Sequence, residues 1–178
     1  MNTETGIYLS PIEDKHIQHY MSFSSDPELI ATMGWEPFLP NEKGRFIDFC
    51  KVLTLPNLKG SESVVFSITH TINDKPIGYV SIKGVNRVEG YAEIGIAIMD
   101  KKYRGKGYGT EALKQAVDHA SNELGLTSLG LTVFPTNQVA IQAYKKVGFQ
   151  ETELLKNSWL LPNGEYADML SMELSLVR

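Results

Sequence analysis

Apolar residues recur at helical spacing in the second half of the chain. Between residues 107 and 124 they are separated by three or four positions, which is the pattern of a helix that buries one face. Gly125 follows and suits the left-handed closing position of a helix. Residues 137–147 repeat the pattern and are followed by Gly148. The spacing therefore predicts amphipathic helices at 107–124 and 137–147.

Three consecutive segments, SVVFSITH, PIGYVSIKG and YAEIGIAIM, are rich in β-branched residues and predict strands. The turn-forming sequences NDKP and NRVEG separate them, so the strands should form an antiparallel meander. A short strand is expected at 7–9, another in LGLTVF, and a final pair from Phe149 onward, including YADMLSMELS. The second half thus alternates strand and helix, which implies some parallel pairing.

Two further helices are predicted in the first half. Ser10 suits an N-cap and Pro11 the first helical position of one helix. An apolar stripe that includes Cys50 predicts the other over residues 41–53. The sequence MGWEPFLP between them carries a glycine and two prolines, so residues 33–40 should form a loop beside a cleft.

No low-complexity tract, fixed-period repeat or flexible linker interrupts the 178 residues. We therefore predict one domain over residues 1–178. Its class is α+β (mixed α/β), because an antiparallel meander precedes the alternating part and the regularity of a doubly wound fold is absent.

Composition narrows the range of partners. Lys and Arg number 17 against 21 Asp and Glu, and the formal charge of −4 provides no general attraction to nucleic acid or to an acidic membrane. The start of the chain, MNTETGIYLS, has neither a basic flank nor an apolar stretch, so we expect a soluble, cytoplasmic protein. A single cysteine and four scattered histidines show no metal-ligand spacing, and no metal is expected.

The sequence YRGKGYGTEAL places three glycines at alternate positions before the helix predicted at 107–124. A helix N-terminus offers unpaired N–H groups and the positive end of the helix dipole, and residues without Cβ let an anion approach them. Two neighbouring cations add positive charge, so the loop predicts a pyrophosphate site, although glycine needed only for turn geometry is the alternative. The predicted binding residues are Arg104, Gly105, Lys106, Gly107, Tyr108, Gly109 and Thr110.

Other phosphate-binding loops fit less well. A Walker loop requires Ser or Thr after Gly-Lys, whereas Gly107 follows Lys106 here. A dinucleotide-binding fingerprint requires G-x-G-x-x-G near the first strand, whereas this chain has G-x-G-x-G after several strands. A nucleotide-dependent oxidoreductase is therefore a remote alternative.

Two motifs carry a family resemblance. RGKGYG fits R/Q-x-x-G-x-G/A, and NQVAIQAYKKVGF fits N-x-x-A-x-x-x-Y-x-x-x-G-F. In this order they resemble the signature segments of the GNAT superfamily of N-acetyltransferases. AEIGIAIMDKKYRGKGYGTEAL and YADMLSMEL further resemble its branch of ribosomal-protein N-terminal and small-amine acetyltransferases. The resemblance covers the chain from about Ser63 to the end.

The resemblance implies the GNAT fold, a central, mostly antiparallel, twisted sheet splayed at the acyl-CoA site and flanked by about four helices. It implies direct transfer of an acetyl group from the cosubstrate acetyl-CoA to a primary amine, either of a small molecule such as a polyamine or of a protein N-terminus. Homodimers are common in the family, so a second copy is an expected partner. The implied cofactor contacts also include the backbone of Ala97, Ile98 and Met99, paired with pantetheine, and Asn137, which equally suits a helix cap.

Two residues are candidates for proton transfer. By resemblance Tyr144 is the general acid that protonates the departing thiolate, although its place on a helical stripe is also typical of a core tyrosine. Strand alternation places Glu93 on the face opposite Ile94, where it is either a general base or a solvated carboxylate. A non-catalytic acyl-CoA-binding module, in which both residues serve only packing, is the rival hypothesis.

Acceptor specificity is expected to reside in loops at 33–40 and 155–165. Trp35, Phe38 and Trp159 are candidates for a substrate wall, although such aromatic residues are more often core.

Overall fold

The computed structural model describes residues 6–23, 25–33 and 62–177. The helix predicted at 41–53, the predicted loop at residues 34–40, and the side chains of Trp35, Phe38 and Cys50 lie outside the described residues. The described strands are β1 (Ile7–Pro11), β2 (Glu62–His70), β3 (Lys75–Asn86), β4 (Tyr91–Ile98), β5 (Ser128–Val133), β6 (Gln150–Leu160) and β7 (Tyr166–Ser175). The described α-helices are α1 (Asp14–Tyr20), α2 (Pro27–Met33), α3 (Tyr108–Asn122) and α4 (Gln138–Val147).

The seven strands form one sheet in the order β1-β2-β3-β4-β5-β7-β6. Every neighbouring pair is antiparallel except β4 and β5, which run parallel because α3 connects them. The predicted mixed α/β class, the antiparallel meander and the parallel pairing in the second half are all confirmed.

The sheet opens between β4 and β5. The two strands pair only at Tyr91–Ser128, Ala92–Leu129 and Glu93–Gly130. On its other side β4 continues to pair with β3 as far as Ile98. Residues 94–98 therefore have no described strand partner on the side that faces β5, and the sheet is splayed beyond Glu93.

Strand alternation assigns the two faces of β4 to different cores. Ile94, together with Ile96 and Ile98 at its margin, packs into the large core beneath α3 and α4. Ala97 and Met99 belong to a smaller core on the opposite face, which α1 and α2 cover. This confirms the predicted alternation along YAEIGIAIM and leaves Glu93 outside the main core.

Helix α1 begins later than the sequence predicted. Ser10 and Pro11 extend β1 and pair with Ser67 and Phe66 of β2. Because β1 is an edge strand, the missing N–H of proline is tolerated there. The helix starts at Asp14, where the Nδ1 of His16 accepts the Glu13 N–H at 3.0 Å. The helix predicted to start at Ser10 and Pro11 was therefore wrong in its boundary.

We expect Gly78→Ala to destabilise the protein, because a Cβ at Gly78 would overlap the carbonyl oxygen of Ala97 on the neighbouring strand. The overlap involves backbone on both sides, so relief requires a shift of β3 against β4, at about 1–3 kcal/mol. Gly109→Ala is the control, since its Cβ would lie 3.7 Å from the nearest side-chain carbon. Urea unfolding measures both free energies. Equal stability of the two variants would contradict this close strand contact.

Candidate active site

The glycine loop ends at the start of α3. Gly107 is the N-cap residue with φ of +84°, and Gly105 has φ of +71°, so both lie in the left-handed region that favours glycine. The first bond into the helix runs from Glu111 N–H to the Gly107 carbonyl at 3.0 Å. The N–H groups of residues 108–110 precede that bond and donate to no described group. Unpaired N–H groups at the positive end of a helix dipole are suited to an anion.

The space over the loop is open at two of its glycines. A Cβ added at Gly105 or at Gly107 would meet nothing within 4 Å. At Gly109 it would lie 3.7 Å from Ile98, so this glycine faces β4 rather than the loop mouth. The open backbone and the unpaired N–H groups fit a diphosphate. The exposed Lys106 adds positive charge, with Nζ 5.8 Å from the centre of the Tyr103 ring.

The Arg104 side chain does not supply free charge to the loop, which corrects the sequence-based role. Its Nε donates to the Ile98 carbonyl at 2.9 Å, and one Nη donates to the Met99 carbonyl and to Asp26 Oδ2, both at 3.1 Å. The other Nη forms an ion pair with Glu28 Oε2 at 3.3 Å. Arg104 therefore links the end of β4 to the start of α2. These acidic partners come from distant sequence and were not predicted.

Only every second residue of β4 points its backbone N–H and C=O toward the opening. Met99 N–H donates to the Ile77 carbonyl at 2.8 Å on the β3 side, whereas the Ile98 carbonyl faces the other way, toward Arg104. Backbone groups of successive strand residues point to opposite edges, so Ile96 and Ile98 face the opening and Ala97 faces β3. The backbone of Ala97 and the N–H of Met99 are thus turned away from the predicted pantetheine pairing, and the Met99 carbonyl accepts from Arg104. Ile98 remains in it through its N–H, and Ile96 joins it.

The other predicted cofactor residues take distinct positions. Asn137 caps α4, with Oδ1 accepting the Ala140 N–H at 3.2 Å. Tyr108 turns its phenol away from the loop mouth toward His70, with 3.1 Å between Tyr108 OH and His70 Nε2, so its contribution to the loop is its N–H. The backbone of Thr110 lies in the first turn of α3.

Tyr144 is buried on α4 in the main core. Its ring meets Phe149 edge to face at 5.8 Å between centroids. No hydrogen bond joins its hydroxyl to any described residue. Burial raises the pKa of Tyr144 to about 12, because the phenolate would lose its hydration. The phenol is therefore protonated across the neutral range and is a weaker acid than an ordinary tyrosine.

Glu93 is exposed at the last pair before the sheet opens. Lys83 is its direct neighbour across β3 and β4. Burial lowers the pKa of Lys83, and the attraction of Glu93 opposes that shift. The pKa of nearby Tyr91 is raised by burial and then by the negative charges of Glu93 and Glu173. Glu93 thus belongs to a charged face on the side of the sheet opposite Tyr144.

The structure therefore places the two proton-transfer candidates on opposite faces of the sheet. Tyr144 lies with α3 and α4, and Glu93 lies on the other face, where the parallel pairing of β4 and β5 ends. A group held in the opening can be approached by a nucleophile from one face while its leaving group points to the other. Such an arrangement suits a one-step transfer.

Trp159 is 39% exposed and contacts Phe134 edge to face at 6.1 Å between ring centres. It does not belong to either core, so it remains available as a wall beside the end of β5. The specificity loop predicted at 155–165 is largely strand, because β6 continues to Leu160. A bulge between Leu155 and Trp159 interrupts its pairing with β7.

Within the described ranges, no group of three or more His, Cys, Asp or Glu side chains has an arrangement that holds a metal ion. Among the helices of those ranges, none combines the length and the apolar character that crossing a membrane requires.

Comparison with known proteins gives a consistent result. The family model described as acetyltransferase (GNAT) domain matches residues 7–150. The chain is 38% identical to the spermidine N(1)-acetyltransferase of Escherichia coli (strain K12) over 96 residues, which are 53% of this chain and 50% of that enzyme. It is 29% identical to the uncharacterized N-acetyltransferase p20 of Bacillus licheniformis over 133 residues, 75% of this chain and 72% of that protein. The sequence match thus spans about half the length of the spermidine enzyme.

Structural similarity extends further. The crystal structure of spermidine N-acetyltransferase from Vibrio cholerae in complex with CoA and spermine superposes with a TM-score of 0.78. The match covers 97% of this chain and 96% of that one at 20% sequence identity. At this identity the likeness establishes the fold, and the GNAT fold predicted from the motifs is confirmed.

We expect Gly107→Ala to weaken the binding of CoA about tenfold or more, because its methyl group would occupy the open mouth of the loop. Gly125→Ala is the matched control. Gly125 also has a positive φ, +66°, and open space around it, but it follows the opposite end of α3. Both variants should lose about 1 kcal/mol of stability. Calorimetric titration with CoA measures affinity, and equal affinities of the two variants would contradict the anion site.

The buried phenol of Tyr144 predicts a pH-dependent stability. Its pKa is 10.0 in an ordinary environment and about 12 when folded, so the unfolded chain ionises first as the pH rises. The stabilisation is complete below pH 10 and is lost between pH 10 and about 12, by up to about 3 kcal/mol. Urea unfolding across this range should show a steeper fall for the natural chain than for Tyr144→Phe. Parallel curves would show that the phenol ionises freely.

Proposed function

The chain belongs to the acetyltransferase (GNAT) family and is an acetyl-CoA-dependent N-acetyltransferase, and on this premise we propose that its acceptor is a primary amine of a polyamine. The relative from Escherichia coli and the fold neighbour from Vibrio cholerae are both spermidine acetyltransferases. The net charge of −4 and the carboxylates of Glu93 and Glu173 near the opening favour a cationic acceptor. A protein N-terminus is the other acceptor that the chemistry permits.

The observation that carries this proposal is the opening of the sheet beside an unpaired helix N-terminus. The N–H groups of residues 108–110 are proposed to bind the diphosphate of acetyl-CoA, with Lys106 at the rim. The free edge at Ile96 and Ile98 is proposed to pair with the pantetheine arm as an added strand would. Asn137, at the start of α4, is proposed to lie beside the same arm.

The proposed reaction has one transfer step. The neutral amine nitrogen attacks the thioester carbonyl, a C–N bond forms, and the C–S bond breaks. Glu93 is proposed to take the amine proton, directly or through water, from the exposed face of the sheet. Tyr144 is proposed to give its proton to the thiolate from the opposite face, so the products are an N-acetyl amine and CoA.

Tyr144 can act as the acid only if the pKa of the thiolate that it protonates is close to its own. A free thiol has a pKa of about 8.5, so a phenol of pKa about 12 would not protonate a solvated thiolate readily. A thiolate leaving into the same dehydrated core would also be destabilised, and its pKa would rise toward that of the phenol. Burial of Tyr144 therefore favours proton transfer only to a sulfur that is buried with it.

Three expectations accompany this function. Acetyl-CoA is an intracellular metabolite, so we propose a cytoplasmic location. A homodimer and a single domain over residues 1–178 remain predictions.

The test is a thiol-release assay with acetyl-CoA and a panel of spermidine, spermine, amino acids, aminoglycosides and peptides with free N-termini. We expect polyamines to give the highest kcat/KM. Tyr144→Phe should lower kcat by about 10²–10⁴-fold while CoA affinity measured by calorimetry is retained. Glu93→Gln should also lower kcat, because an amide cannot take the amine proton.

Three outcomes would overturn parts of the proposal. Preferred turnover of peptides would replace the polyamine by a protein N-terminus. CoA binding without turnover of any amine would support the non-catalytic module. Full activity of Tyr144→Phe would remove the acid role and leave Tyr144 as a core residue.

A further inference from the structure

A buried histidine lies at the turn between β2 and β3 and contacts both sides of the glycine loop. His70 is 8% exposed, and its ring packs between two tyrosines, at 5.2 Å from the Tyr103 ring centre and 5.3 Å from that of Tyr108. Tyr103 immediately precedes the loop, and Tyr108 is the first residue of α3. The same residue therefore contacts the chain before and after the loop.

The hydrogen bonds of this cluster define one tautomer. Asn73 Oδ1 accepts the Lys75 N–H at 3.3 Å, and the Asn73 amide nitrogen donates to Tyr103 OH at 2.9 Å. His70 Nδ1 lies 3.0 Å from the same Asn73 oxygen, so Nδ1 carries the proton and donates it. His70 Nε2 is then an acceptor, and Tyr108 OH donates to it at 3.1 Å. With Nδ1 as donor, Asn73 Oδ1, the two His70 ring nitrogens and Tyr108 OH form one continuous chain of hydrogen bonds.

Beyond Arg104, the glycine-rich part of the loop has few side-chain contacts that hold its shape. Gly105 and Gly107 have no side chains, and a Cβ at either would meet nothing within 4 Å. Glycine loses more conformational freedom on ordering than any other residue, so an unsupported loop would lose binding energy when it closes on an anion. Contacts that fix both of its ends reduce that loss before the ligand arrives.

We propose that His70 is a positioning residue for the glycine loop. Its ring, which donates from Nδ1 to Asn73, holds Tyr103 and Tyr108 so that the N–H groups of residues 108–110 converge on one point. His70 touches neither substrate nor reacting atoms in this arrangement. The proposal rests on the assignment of this loop to the diphosphate of acetyl-CoA.

Two conservative variants separate the two contacts of the ring. The side-chain oxygen of Gln reaches about as far as Nε2, so His70→Gln can still accept from Tyr108. The amide nitrogen of Asn lies near the position of Nδ1, so His70→Asn can donate to Asn73 but cannot reach Tyr108. The loop contact predicts rescue by Gln and no rescue by Asn. A role in the turn alone predicts the reverse.

The experiment compares His70→Ala, His70→Gln, His70→Asn and Tyr108→Phe. We expect His70→Ala to raise KM for acetyl-CoA and the dissociation constant of CoA about 5–20-fold, with kcat changed less than about twofold. His70→Gln should recover most of the affinity, and His70→Asn should not. In the double variant with Tyr108→Phe, the two losses should not add, because both remove the same hydrogen bond.

Tyr8→Phe is the matched control. Its hydroxyl donates to Asp74 of the same β2–β3 turn but contacts no residue of the loop, so its removal should leave KM for acetyl-CoA unchanged. Thermal unfolding of every variant is measured in parallel. If His70→Ala does not fold, Tyr108→Phe alone tests the contact and should raise KM by a similar factor.

The outcomes test the role of His70 separately from the assignment of the loop to acetyl-CoA. A natural chain that does not bind CoA refutes the cofactor assignment itself. A natural chain that binds CoA, with KM unchanged in His70→Ala or Tyr108→Phe despite lower thermal stability, shows that the cluster is only structural. Equal rescue by Gln and Asn would also overturn the proposal.

Discussion

The separation of β4 from β5 beyond the Glu93–Gly130 pair is the constraint on which the remaining features depend. A buried strand normally has all its backbone groups paired, and an unpaired edge in the middle of a sheet is costly unless something else satisfies it. Here the opening leaves the outward backbone groups of Ile96 and the N–H of Ile98 without a strand partner, and the proposed ligand would pair with them as a strand does. It also makes one point accessible from both faces of the sheet, which is the geometry that the proposed base and acid require.

In the proposed site, the glycine loop would bind an anion through its backbone more than through its charged side chains. Arg104, the cation that the signature places first, is bound to two carbonyls and to Asp26, with Glu28 beside it. Its charge is therefore compensated within the protein, and its contacts join the cofactor loop to α2 on the other face. Helix amides remain as the principal donors, which is consistent with a chain of net charge −4.

The glycine loop combines flexible glycines with a rigid cluster of neighbouring side chains. Positive φ values at Gly105 and Gly107 allow the backbone to turn without side chains, but they also lower its intrinsic order. The cluster of His70, Asn73 and Tyr108 places hydrogen-bonded aromatic packing next to these flexible residues. Under this proposal the rigid cluster preorganises the loop, so less conformational entropy is lost when an anion binds to its N–H groups.

The sequence determined the elements that depend on local spacing. Apolar periodicity fixed α3 and α4, and Gly148 closes α4 with a φ of +114°. Helix α3 instead has Glu123 as its C-cap, and Gly125, with a φ of +66°, follows two residues later. Strand propensity and turn residues gave the antiparallel meander, and the two motifs identified the family. Helix α1 was misplaced because Ser10 and Pro11 also suit an edge strand, and local propensity cannot distinguish the two when pairing with β2 decides.

Only the tertiary structure decided which backbone groups and side chains meet. Pairing with β3 directs the backbone of Ala97 and the N–H of Met99 away from the opening, which no property of those residues encodes. Asp26 reaches Arg104, and His70 reaches Tyr108, across 78 and 38 positions of sequence. Burial likewise made Tyr144 a weaker acid than its residue type implies. Sequence spacing sets local geometry, whereas long-range contacts and desolvation arise only when the chain has folded.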